Sequence, residues 1–84
     1  MTDIPYLTVP EWLTIRHLIE NAIAEFGSEA RLAKAAGVTQ PAINEAKRTG
    51  RAGPRVAAGI HRATDGRVSK YDLRPDLWSR DDAA

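Results

Sequence analysis

Between Thr39 and Arg55 the chain reads TQPAINEAKRTGRAGPR. On a helix, Gln40 and Asn44 lie one turn apart, and each carries a carboxamide with a donor and an acceptor. The Gln40 amide suits bidentate hydrogen bonding to an adenine edge, and Asn44 can bond a base or a phosphate. Thr39 can cap a helix or bond a phosphate, because helix N-terminal amides attract anions. Pro41 has no donor and offers apolar contact, as to a thymine methyl, and Ala42 is small enough for a helix to approach closely. Glu45 repels phosphates. It either accepts from a cytosine N4 amine or pairs with Arg48 or Lys47. Lys47, Arg48, Arg51 and Arg55 follow with no acid between the first and the last of them. The chemistry on offer is recognition of a polyanion, with base-edge hydrogen bonds added.

Catalytic and metal chemistry find less material. There is no cysteine, which removes disulfides, thiolate metal sites and thiol nucleophiles together. His17 and His61 are isolated, and their spacing suits no metal site. Asp72 and Asp76 are separated by Pro75, which interrupts the helix that would pair them. No glycine-rich loop follows a strand, so a phosphate cradle is not expected. The chain reads as a non-enzyme with no cofactor and no metal.

Formal charge is +1 over 84 residues, but it is unevenly laid out. Residues 1–27 set Arg16 against Asp3, Glu11, Glu20 and Glu25. Residues 28–67 set Arg31, Lys34, Lys47, Arg48, Arg51, Arg55, Arg62 and Arg67 against Glu29, Glu45 and Asp65. Residues 68–84 are close to balanced. A local basic face of this kind can hold a polyanion although the whole chain is nearly neutral. A hydrophobic content of 43% supports one small core, hence one domain. No apolar run approaches the roughly 20 residues of a membrane span, and the N-terminus lacks the basic-then-apolar order of a signal peptide. The expectation is a soluble cytoplasmic protein, associated with the nucleoid and not with a membrane.

Periodicity places these residues on short helices. Trp12, Ile15, Ile19, Ala22, Ile23 and Phe26 recur at three- and four-residue intervals, predicting a first helix over about 9–26 with this stripe inward. Thr8-x-x-Glu11 has capping-box spacing, Pro10 suits the first turn, and Gly27 suits the end. Ser28 caps a second helix with Leu32, Ala33 and Ala36 inward and Glu29, Arg31 and Lys34 toward water. Gly37 ends it. Thr39 caps a third helix, about 39–48, with Ile43 and Ala46 inward. Pro54 starts a fourth, with Val56, Ala57, Ile60 and Ala63 inward, closed by Asp65-Gly66. Ser69-x-x-Asp72 caps a last short turn through Leu73. After Pro75, Leu77 and Trp78 are expected to fold back on the body. Arg62 and Arg67 read as ordinary surface. No stretch alternates with period two, so the fold class is all-α: a compact bundle of four to five short helices. The organisation is an N-terminal arm over 1–8, a domain over 9–78 and a frayed tail over 79–84.

The second and third helices meet the demands of a DNA-binding helix-turn-helix. Such a pair needs a small residue where the helices cross, a glycine in a short turn, and a branched apolar anchor under the second helix. Leu32, Ala33, Ala36, Gly37, Val38 and Ile43 supply these types at the required mutual spacing. ARLAKAAGVTQPAINEA resembles the helix-turn-helix of the Cro and phage-repressor class, closest to small Cro-like regulators of bacteria and prophages, some described as antitoxin-type. ATDGRVSKYDLRPDLW is similar to the segment that follows in that family. The resemblance spans about residues 26–78 and implies a lambda-repressor-like fold. Relatives commonly carry a tryptophan or large aliphatic late in the recognition helix, where this chain has Ala46. That predicts a gap, which Trp12 or Phe26 could fill.

The resemblance implies a sequence-specific transcriptional regulator of double-stranded DNA, with the third helix in the major groove. Gln40, Pro41, Asn44 and Glu45 would face bases. Ser28, Thr39, Lys47, Arg48, Arg51 and Arg55 would face phosphates, with Arg31 and Lys34 as weaker candidates. Relatives bind palindromes as homodimers. Ile4-Pro5-Tyr6-Leu7 and Leu77-Trp78 are the candidate dimer surfaces, or else intramolecular core. The alternative is a helix-turn-helix adaptor or antitoxin acting through a protein partner, for which the acidic first third would suit a basic one.

Overall fold

The computed structural model describes residues 10–79. Five helices follow one another among these residues, with no strand: α1 (Glu11–Phe26), α2 (Glu29–Ala36), α3 (Gln40–Thr49), α4 (Pro54–Ala63) and α5 (Lys70–Leu73). The all-α expectation holds. No helix among the described residues is long and apolar enough to cross a membrane.

Local chemistry sets the helix ends. The Ser28 hydroxyl accepts from the Arg31 N–H, Thr39 from the Ala42 N–H and Ser69 from the Tyr71 N–H, so three helices start on the side-chain caps their sequence offers. The first helix differs from expectation. It begins at Glu11 with Pro10 as the N-cap residue, and the expected cap at Thr8 lies outside the described residues, as does the arm over 1–8. The tail over 79–84 lies outside them too, except Ser79. The third helix runs to Thr49, one residue past its expected end, because the left-handed stop falls at Gly50.

Ile19, Leu32, Ile43, Ile60 and Leu73 are fully buried, one from each helix, and Ile15, Ala22, Ala33, Ala46, Ala57 and Val68 join them in the core. Ile23, Phe26, Val38, Ala63 and Trp78 cover its edge, half-buried. Two expected core residues are not there. Trp12 is 49% exposed and Leu77 is 45% exposed. Trp12 lies at the very start of α1, where the helix reaches the edge of α3, and it lines a surface groove with Ile15, Leu73, Arg51 and Arg74. Thr64, the largest buried polar side chain, is satisfied within its own corner: its hydroxyl donates to the Ile60 carbonyl at 2.8 Å and accepts from the Val68 N–H at 3.0 Å. That loop ties α4 to α5, and His61 Nδ1 adds to the tie by accepting the Lys70 N–H at 3.1 Å.

Candidate nucleic-acid interface

Two close approaches fix the α2–α3 pair from either side. At Gly59, in the middle of α4, an added Cβ would lie 2.3 Å from the Ala36 carbonyl oxygen. Only glycine lets α4 come that near the end of α2, which explains why a poor helix former sits in a helix interior. At Gly50 an added Cβ would lie 2.3 Å from the Trp12 carbonyl oxygen, so the start of α1 rests on the end of α3. This contact lies one turn from the expected gap. Ala46 is 3% exposed and belongs to the core, one turn before Gly50, and the α1 backbone closes on that end of α3. Phe26 stays at the edge of the core and the Trp12 side chain stays out.

The turn between α2 and α3 is Gly37-Val38-Thr39, with Gly37 at φ 73°. The Val38 N–H reaches back to the Ala33 carbonyl at 3.0 Å and the Gly37 N–H to the Lys34 carbonyl at 3.3 Å, closing α2. A further clamp was not expected from the sequence. Arg62, read as ordinary surface, donates from Nη2 to the Ala36 carbonyl at 3.0 Å and so satisfies one of the orphan acceptors at the end of α2. Arg67, read the same way, reaches instead to the Glu25 carboxylate, which raises the pKa of its guanidinium. Leu32, Ala33, Ala36 and Ile43 are buried, Val38 is half-buried and Gly37 forms the turn.

The outer side of α3 divides into two stripes. Gln40, Asn44 and Lys47 form one, and they turn toward Glu29, the first residue of α2. Lys47 Nζ lies 2.7 Å from Glu29 Oε2, and Asn44 Nδ2 donates to both carboxylate oxygens at 3.4 and 3.5 Å. Hydrogen bonding to Lys47 holds the Glu29 pKa below the ordinary carboxylate value, against a desolvation that raises it, with Asn44 and Gln40 adding smaller lowering contributions. Glu29 therefore does not simply face water, and Lys47 is not a free cation. Pro41, Glu45 and Arg48 form the second stripe, fully on the outside. Arg48 Nη2 lies 2.5 Å from Glu45 Oε1, with side chains 64% and 62% exposed. Of the two partners open to Glu45, Arg48 is the one it takes.

Past α3, Arg51 and Arg55 are exposed and enter no ion pair among the described residues, and the same is true of Arg31 and Lys34 on α2. Ser28 and Thr39 both spend an oxygen lone pair on a helix cap, which leaves each hydroxyl proton free to donate. What the arrangement offers is a helix of ten residues mounted by its inner face, with carboxamides and a neutralised ion pair on its outer side, and beyond its end two guanidiniums in no ion pair among the described residues.

A family model described as bacterial toxin YdaS matches residues 19–81, three quarters of the chain, from the middle of α1 past the end of α5. No curated protein and no solved structure matches the chain.

Proposed function

The chain belongs to the YdaS family, and from that premise we propose that it is a small sequence-specific regulator that binds double-stranded DNA through a helix-turn-helix formed by α2 and α3. One observation carries the reading: α3, whose end rests on α1 at Gly50 and whose neighbour α2 is clamped by Arg62, is followed in the chain by Arg51 and Arg55, both exposed and in no ion pair among the described residues. Cations supply sequence-independent affinity by releasing counterions, while amides at base edges supply discrimination. In this reading Arg51, Arg55, Thr39 and Ser28 hold phosphates. Gln40 and Asn44 bond base edges, Pro41 packs against them, and the Glu45–Arg48 pair opens toward a C·G step, the carboxylate accepting from cytosine N4 and the guanidinium donating to guanine. The protein acts as a homodimer on half-sites about one helical turn apart, needs no cofactor and carries out no catalysis.

A salt titration of duplex binding, followed by fluorescence anisotropy, tests this. The wild-type chain binds random-sequence duplex at low salt, and its affinity falls steeply as salt rises. Replacing Arg51 and Arg55 with alanine removes about two phosphate contacts and flattens the log–log slope by about 1.8. Gln40→Ala weakens the site selected from a random DNA pool by about 1–3 kcal/mol and leaves random duplex nearly unchanged. Absence of duplex binding at low salt would sink the regulator reading.

The family description favours a second reading, in which the chain is a toxin that harms its host; the same fold could instead serve as a helix-turn-helix adaptor or antitoxin acting through a protein partner. Expressing the wild type and the Arg51→Ala, Arg55→Ala variant separates the two. Growth inhibition that survives loss of DNA binding belongs to the protein-partner reading, and inhibition that disappears with it belongs to the regulator.

A further inference from the structure

Among the described residues, Glu29 is the one acid that reaches the outer edge of α3 from another helix. Its side chain is 17% exposed and that of Lys47 is 30% exposed, whereas the Glu45–Arg48 pair on the neighbouring stripe is twice as open or more. Position explains the difference. Glu29 opens α2, where the helix dipole favours a carboxylate, and Asn44 and Lys47 reach it from the same stripe of α3. An ionised carboxylate only accepts hydrogen bonds, so it must meet the NH2 end of the Asn44 amide and not the oxygen. That orients the amide. Oδ1 and one N–H remain for another partner, the combination that matches an adenine edge. The same carboxylate cancels the charge on Lys47, and a phosphate approaching that lysine also meets the negative charge beside it.

We propose that Glu29 is a positioning residue for DNA discrimination: it orients the Asn44 amide, with Gln40 beside it, and withholds Lys47 from the phosphate backbone. The inference rests on the DNA-binding reading and deepens it. A lysine expected to strengthen binding to any duplex is kept out of that role, and the carboxylate that holds it fixes an amide that distinguishes one duplex from another. Ordering the amide before contact also removes part of the side-chain entropy lost on binding.

Salt titrations on two probes, random-sequence duplex and the site selected by the wild type, decide it. With Glu29→Gln, Lys47 becomes free: the slope on random duplex steepens by about 0.9, one phosphate contact. Random-duplex affinity rises several-fold, and the ratio of selected to random affinity falls about tenfold. Adding Lys47→Met to Glu29→Gln returns the slope to the wild-type value, while the selected-to-random ratio stays low. Glu29→Asp keeps part of the ratio. Lys47→Met alone, which leaves α2 untouched, changes the slope on random duplex by much less than 0.9. A full one-contact loss in that single variant overturns the proposal, and so does a Glu29→Gln protein with unchanged slope and ratio. If the wild type binds neither probe, the DNA reading fails and takes this role with it; if it binds and only the Glu29 variants are silent, the DNA reading stands and the role of Glu29 falls.

Discussion

Ile43 and Ala46 on the inner face of α3 are 0% and 3% exposed, whereas Glu45 and Arg48 on the outer face keep 62% and 64% of their side-chain surface. The inner face is held by shape. Its last turn ends on Gly50, where there is no room for a Cβ against the Trp12 carbonyl, and no hydrogen bond or charge can substitute for that missing volume. The outer face is held by exchangeable partners: an exposed ion pair, and amides that can trade one acceptor for another. An isolated helix of ten residues is marginal in water, so α3 exists because its inner face is buried. Stability and recognition are thus assigned to opposite sides of one helix. Substitutions should separate accordingly, with large effects on melting from one side and nearly none from the other.

The strongest way to break that division is to fill the inner face. Ala46→Trp forces a large ring between α3 and the rest of the core, where the α1 backbone already rests on the next turn. A loss of about 3 kcal/mol or more, seen as a large drop in melting temperature, is expected from overpacking. A variant that melts like the wild type would mean that a cavity does lie beside Ala46 and that the inner face is less fully packed than described.

Gly59→Ala probes the same principle on the other side of the helix pair and should cost less. Alanine favours the helix by about 1 kcal/mol over glycine, but its Cβ would lie 2.3 Å from the Ala36 carbonyl oxygen. Overpacking by one methyl against backbone costs about 1–3 kcal/mol, so the net is a loss of about 1 kcal/mol, with the Arg62 bond to that carbonyl disturbed as well. A thermal melt shows the sign. A more stable Gly59→Ala would place the α2–α4 contact farther apart and remove the clamp from the argument.

The division between the faces was more legible in some residues than in others. Leu32, Ala33, Ala36, Ile43 and Ala46 announce the inner side because helical period and apolar type agree, and Ser28, Thr39 and Ser69 announce helix starts because their hydroxyls sit where orphan amides need them. Trp12 misled, since its period is right but it stands on the first turn, where α1 reaches the edge of the body and its side chain projects beyond the core. Ala46 was ambiguous: a small residue marks either a hole or a close approach, and the close approach the structure shows is one turn on, at Gly50. Arg62, Arg67 and Glu29 could not be read at all from local pattern. Their partners are Ala36, Glu25 and the Asn44–Lys47 stripe, each on another helix or loop, and long charged side chains carry no periodic signal of the element they will reach. The candidate site was therefore legible as a list of residues. Its internal pairing was not.

The smallest expected effect tests whether Glu29 belongs to the exchangeable side, and it comes from acid. Lys47 holds the Glu29 carboxyl below its ordinary value of 4.5, so the folded state binds that proton less readily than the unfolded chain. The stabilisation is therefore present above the ordinary carboxylate range and is lost as pH falls through the lowered folded value. A partly exposed pair of this kind contributes at most about 1 kcal/mol. Glu29→Gln should then melt slightly below the wild type at neutral pH, and the gap should shrink toward zero in acid as the wild-type carboxyl is protonated. Asp76, lowered by its bond to Arg74, keeps some acid sensitivity in both proteins, so the gap and not the absolute curve is the readout. A gap that stays constant with pH would trace the loss to packing or to the start of α2, and Glu29 would then belong with the inner face. A gap that closes puts its charge, and with it Lys47 and Asn44, on the side of α3 where partners can be exchanged.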